Sequence, residues 1–158
     1  MRFVGITGHR RIPAEIAQQV RAGMVEVCTT AAPDLVGVTC LAAGADQMFA
    51  SVVLELKGTL HVIVPSLDYE LSFAGDADRA RYRELMQQAA HVEWQERYPH
   101  HSEPAYLAAG KKVVDQSDLI VAVLDPLRSE KPVGGTADIV EYAKSRAKTV
   151  INVWPGGA

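Results

Sequence analysis

A doubly wound α/β domain, with about six mainly parallel strands and helices on both faces, is the fold class this sequence predicts. Short Val-, Ile- and Leu-rich runs alternate with helical stretches from end to end. Those runs show little polar alternation, as expected of strands buried on both faces of a parallel sheet. Length agrees: 158 residues fit one domain, 1–158, large enough to bury a substantial single core.

Arg2–Thr7 is the first apolar run, and it breaks at Gly8 before His9, Arg10 and Arg11. Pro13 suits the first position of a helix in which Ile16, Val20, Met24 and Val27 form one apolar stripe. Leu35–Leu41 reads as a second strand, Ala45–Lys57 as a helix and Thr59–Pro65 as a third strand. A loop over Ser66–Ala77 leads to a helix at Asp78–Ala90, a weaker strand at His91–Trp94 and a helix at Pro104–Gln116. Leu119–Leu124 is a strongly apolar strand; a second loop-rich stretch, Asp125–Gly135, precedes a helix at Thr136–Ala147 and a weak strand at Thr149–Trp154. No internal repeat or interdomain linker interrupts this order.

Hydrophobic residues make up 48% of the chain and charged residues 22%, with a formal net charge of −3. A protein that grips phosphate backbones without regard to sequence usually carries a basic surplus, so this balance argues against nucleic acid as a partner. Cys28 and Cys40 are the only cysteines and lack metal-type spacing; nothing resembles a signal peptide, and a reduced, cytoplasmic protein is expected. No apolar stretch approaches the roughly 20 residues that span a bilayer, so no membrane partner is expected. The adjacent His100 and His101 lack the spacing of a good metal site, and neither metal nor cofactor is expected.

In open parallel sheets ligands bind beyond the carboxyl ends of the strands, which directs attention to the strand-to-helix loops. In Thr7–Arg11, Gly8 permits a tight turn while His9 and Arg10 offer a hydrogen bond or a bidentate clamp for an anion. In Leu41–Asp46, Gly44 and Ala45 allow close approach to the backbone, and Asp46 either orients a ribose or caps the helix. In Pro132–Asp138, Gly134, Gly135 and Thr136 make an amide-lined concavity suited to phosphate. Asp125, at the end of the fifth strand, lies on the same predicted edge, whereas Asp115 and Asp118 flank the strand's other end and read as structural. Tyr69 either stacks on a base or anchors its loop, and Tyr106 serves either packing or a dimer contact. Neither G-x-G-x-x-G nor G-x-x-x-x-G-K-[ST] occurs, which removes most support for a dehydrogenase or a P-loop ATPase.

An opening strand ending in "TGHR", a mid-chain "AAGAD", and "SDLIVAVLD" followed by "GGTAD" together resemble the SLOG superfamily along nearly the whole chain. That group contains Lonely Guy phosphoribohydrolases, molybdenum-cofactor carriers and the core of DNA-processing protein A. The resemblance implies a Rossmann-like fold, a nucleotide or nucleotide-derived ligand, and a homodimer. In Lonely Guy enzymes a P-G-G-x-G-T-x-E loop holds phosphate, and its glutamate works with an arginine to break an N-glycosidic bond. Here Gly134, Gly135 and Thr136 look like that loop shortened, and Asp138 stands where the glutamate would be, one methylene shorter. Arg79, Arg81 and Arg83 are the candidate arginines, with Arg83 taken as the catalytic partner of Asp138 if the protein is a hydrolase.

The leading expectation is therefore a small protein that binds or senses a nucleotide-like phosphate ligand at the C-terminal edge of the sheet. The first alternative is phosphoribohydrolase cleavage of a nucleoside monophosphate, and the second is a ligand-free protein-interaction module.

Overall fold

The computed structural model describes residues 2–127 and 135–156. Its elements follow the alternation of the sequence: β1 (Arg2–Gly8), α1 (Ala14–Thr29), β2 (Leu35–Thr39), α2 (Ala45–Glu55), β3 (Thr59–Val64), α3 (Asp76–Gln87), β4 (His91–Trp94), α4 (Glu103–Asp115), β5 (Leu119–Val123), α5 (Thr136–Ser145) and β6 (Thr149–Asn152). All six strands are parallel, in the order β4-β3-β2-β1-β5-β6. The strand order reverses at β1, which lies between β2 and β5; this puts the crevice of a doubly wound sheet at Gly8 and Val123, paired at the ends of β1 and β5.

Every residue of β2 and β5 is buried, because helices cover both faces. On one face Val4, Ile6, Val62, Val64, Val121 and Val123 pack against Val20 and Met24 of α1, Phe49 and Val53 of α2, and Leu85 of α3. On the other, Val38 and Ile63 meet Ala109 and Val113 of α4, while Ile120 meets Ile139 and Ala143 of α5. The predicted stripe of α1 is the buried one, with Val20, Met24 and Val27 inside and Ile16 packed at its margin.

Several boundaries differ from the sequence expectation for local reasons. Pro13 keeps an extended ψ of 137° and stands just before α1 rather than within it. β2 stops at Thr39, two residues short of the expected Leu41, because Leu41 takes a positive φ of 59° and its N–H turns to Thr39 Oγ1 at 2.9 Å. Ser102 ends the loop before α4 by accepting a hydrogen bond from Ala105 N–H at 3.2 Å, a side-chain N-cap followed by Pro104 in the first turn. The Ser66–Ala77 loop contains a single 3₁₀ turn, Tyr69–Ser72, which no periodicity announced. Among the described residues no helix is long and apolar enough to cross a membrane.

Candidate functional site

The loop after β1 and the loop after β2 are built against each other backbone to backbone. Gly8 has no room for a side chain: a Cβ there would lie 2.5 Å from the Ala45 Cβ and 2.9 Å from the Val123 Cβ. Gly44 takes a positive φ of 80°, and a Cβ on it would lie 2.4 Å from the Arg10 carbonyl oxygen. Close approach lets the Ala45 N–H, at the start of α2, donate to the His9 carbonyl at 3.1 Å. The small residues of both loops are thus needed for the loops to meet, before any ligand is considered.

His9 joins this pair of loops to the end of β5. Its N–H donates to the Val123 carbonyl at 3.3 Å, and its Nε2 accepts the Asp125 N–H at 3.0 Å. The ring is buried and meets Trp154 edge-on, with centroids 5.8 Å apart. Asp125 turns inward on its own chain, its Oδ1 accepting the Leu127 N–H at 2.9 Å. His9 and Asp125 therefore shape the crevice, while Arg10 alone of the "GHR" triplet reaches over it: its guanidinium lies 5.0 Å from the centre of the Tyr106 ring.

Asp46 is buried in the first turn of α2 and faces the loop that precedes it. Its Oδ2 accepts from Cys40 N–H at 3.2 Å, Thr39 Oγ1 at 3.3 Å and Ala42 N–H at 3.4 Å. Burial pushes its pKa up to about 6; those three hydrogen bonds and the nearby Arg10 guanidinium pull the other way without restoring the ordinary value. The Cys40 thiol is pushed well up by burial and by the Asp46 carboxylate, so it is an unreactive neutral group. Asp46 thus holds the 40–42 loop in shape.

The cleft itself has a volume of about 270 Å³ and opens among the loops after β1, β2 and β3. Arg10 and Arg11 line it together with Ala42 and Ala43, and the β3–α3 loop supplies Tyr69, Ser72, Phe73 and Ala74, with Asp78 from α3. Tyr69 is held edge-on by Phe73, Tyr82 and Tyr106, with centroids 5.3, 5.6 and 6.2 Å away. Two guanidinium groups, small residues that expose backbone and an aromatic wall are the parts of a site for an anion carrying a flat or apolar body.

Of the residues singled out in the sequence, Gly8, His9, Arg10, Gly44, Ala45 and Asp46 come together around the β1 and β2 loops, with Asp125 tied in through His9. Gly135 and Thr136 begin α5, which packs on the opposite face beside β1 and β5; Gly134 lies outside the described residues. Asp138 is exposed in the first turn of α5. Arg83 is exposed and paired with Glu70, its Nε donating to Oε2 at 2.6 Å. Arg79 ties α3 to the preceding loop through the Phe73 carbonyl at 2.8 Å, and Arg81 binds Ser51 Oγ on α2 at 2.5 Å. Of the β3–α3 residues that line the cleft, only Tyr69 is legible in the sequence; a second aromatic, Phe73, four residues further on in the same loop is the available signal for the rest. His100 reaches Asp68 at 3.3 Å, and among the described residues no group of three or more His, Cys, Asp or Glu side chains is placed to hold a metal.

Fold and site define a class: an all-parallel Rossmann-like α/β protein with an arginine-bearing cleft at the C-terminal edge of its sheet. No protein-family profile and no curated protein matches the sequence. Solved structures do share the fold. DNA processing protein A of Streptococcus pneumoniae is 18% identical, with a TM-score of 0.69 over 96% of this chain and 50% of that one. DNA processing protein A of Helicobacter pylori, described for its single-stranded DNA binding mode, is 20% identical, with a TM-score of 0.69 over 96% of this chain and 64% of that one. The molybdenum cofactor binding protein of the phototrophic bacterium Rippkaea orientalis is 15% identical, with a TM-score of 0.57 over 96% of this chain and 75% of that one. The chain thus spans 50% and 64% of the lengths of the two DNA processing proteins.

One expectation is corrected by these likenesses. The net charge of −3 argued against nucleic acid as a partner, yet a protein of this same fold binds single-stranded DNA. Net charge sums the whole surface, whereas a single strand requires only a local positive groove and faces for its bases. Arg10 and Arg11, side by side in one cleft, are such a local concentration despite the acidic total.

Proposed function

We propose that this protein binds the phosphate of a nucleotide, free or as a unit of a single strand, in the cleft formed by the loops after β1, β2 and β3. The observation that carries the reading is the convergence of Arg10 and Arg11 with Ala42, Ala43, Phe73 and Ala74 on one hollow. Arginine pairs favour phosphate because their planar donors match its oxygens. The fold shared with DNA processing protein A and with a molybdenum cofactor binding protein supports a place in the SLOG superfamily and a ligand of nucleotide type.

Isothermal titration with nucleoside 5′-monophosphates and with a short single-stranded oligonucleotide tests this. Binding is expected, and Arg10→Glu with Arg11→Glu should weaken it at least about tenfold, consistent with lost charge-assisted hydrogen bonds. Equal affinity in that double variant overturns the reading. The same mixtures assayed for free base test the phosphoribohydrolase alternative, which requires Asp138 and an Arg83 released from Glu70. Absence of any thermal stabilisation by nucleotides or oligonucleotides supports a protein-interaction module instead.

A further inference from the structure

The wall of the cleft contains a buried polar atom that the described residues leave without a hydrogen-bond partner. Tyr69 is only 3% exposed, its N–H donates to the Ser66 carbonyl and its own carbonyl accepts from Ser72 Oγ at 2.7 Å. Among the described residues its hydroxyl has no hydrogen-bond partner, in contrast to the Tyr142 hydroxyl, which donates to Asp115 at 2.9 Å; the equally buried Tyr82 hydroxyl has none either, but of the two rings only Tyr69 lines the cleft. An orphaned buried hydroxyl is costly, and proteins rarely leave one without a reason.

The position of that hydroxyl suggests the reason. Edge-on contacts with Phe73, Tyr82 and Tyr106 fix the ring, so it is not free to turn and stack on a base. The Arg10 guanidinium lies near enough to act on the phenol, and Tyr69, Arg10 and Arg11 line the same hollow. Burial, with the Asp46 carboxylate nearby, pushes the phenol well above its ordinary pKa, so it remains protonated and can donate.

We infer that Tyr69 is a ligand-binding residue whose hydroxyl donates to the phosphate held by Arg10 and Arg11, completing a three-donor cradle for one phosphate group. This rests on the cleft reading given above and adds a recognition group that no sequence motif marked. It also divides the roles of the β3–α3 loop: the ring anchors the loop, and the hydroxyl serves the ligand.

Tyr69→Phe removes only the oxygen and is the direct test. Because no described residue bonds to the hydroxyl, the variant should melt no lower than the parent without ligand. Its affinity for adenosine 5′-monophosphate and for inorganic phosphate, measured by isothermal titration, should fall about tenfold, as for a lost hydrogen bond to a charged group. Tyr82→Phe is the control: Tyr82 shares the aromatic cluster and is equally buried but does not line the cleft, and its affinities should match the parent's. Parental affinity in Tyr69→Phe, with binding still dependent on Arg10, overturns the inference and leaves the cleft reading standing. A loss of the same size in Tyr82→Phe overturns it as well, by assigning the effect to packing. If the parent protein binds neither probe, the inference falls; if it also fails to bind a short single-stranded oligonucleotide, or binds without dependence on Arg10, the cleft reading falls with it.

Discussion

The Asp125 N–H donates to Nε2 of His9 at 3.0 Å, so the loop after β5 is tied to the loop after β1 through one imidazole. An accepting Nε2 fixes the tautomer, with the ring proton on Nδ1. Replacing this buried ring leaves the Asp125 N–H without its acceptor and opens space beside Trp154. His9→Ala is therefore expected to destabilise the protein by about 2–3 kcal/mol in urea unfolding, combining an orphaned donor with lost packing. His9→Gln, which keeps an acceptor, should recover part of the loss.

Gly44 is the second point at which the β1 and β2 loops depend on each other. Its φ of 80° disfavours any side chain, and the added Cβ would meet backbone, the Arg10 carbonyl at 2.4 Å, rather than a side chain able to move aside. Gly44→Ala is expected to cost about 2 kcal/mol or more, lowering the melting temperature by roughly 4–8 °C for a domain of this size. It should also weaken nucleotide binding, because relief of the clash displaces the Arg10 backbone. A melting temperature equal to the parent's would show that the two loops tolerate separation.

These contacts show which parts of the molecule could be read from sequence. Strands such as Leu119–Val123 are legible because burial on both faces forces an unbroken apolar run. Gly8 and Gly44 stood out because close backbone approach excludes a Cβ, a constraint written directly into residue type. The 3₁₀ turn at Tyr69–Ser72 was not legible, because it is held by tertiary contacts with Tyr82 and Tyr106 that local pattern does not encode. Arg83 illustrates the converse: its helix was foreseen, but the register that pairs it with Glu70 depends on where the preceding loop folds back. The end of β2 was placed too late for a similar reason, since the Asp46 carboxylate gathers the Cys40 and Ala42 N–H groups out of the ladder direction.

Asp46 carries a stability cost that depends on pH. Its pKa rises from an ordinary 3.8 to about 6 on folding, so between these values the folded state holds a proton that the unfolded state has released. Stability from this group is fully present below about pH 3.8 and is lost as pH rises towards 6, an effect on the order of 3 kcal/mol if no other group compensates. Asp46→Asn removes the titration while an amide oxygen remains to accept the Cys40 and Ala42 N–H bonds. Urea unfolding at a series of pH values should show this component in the parent and not in the variant. A variant curve parallel to the parent's across pH 4–6 would contradict the assignment.

The histidine pair at the other end of the sheet should act with the opposite sign. His61 on β3 and His91 on β4 are register partners, with ring centroids 5.1 Å apart and Phe3 edge-on to His61. Burial first, and the neighbouring His91 charge second, hold the His61 pKa below its ordinary 6.5. The unfolded chain then takes up a proton near pH 6.5 that the folded protein refuses, so the stability contribution is complete above that pH and declines as pH falls through the window below it. Imidazole chemical shifts followed by NMR should therefore place the His61 midpoint below the ordinary 6.5. In His91→Gln, loss of the like charge should move the His61 midpoint upward without bringing it fully to the ordinary value, since burial remains. An unchanged His61 midpoint in that variant would leave burial as the sole cause and remove the pairwise coupling across the strands.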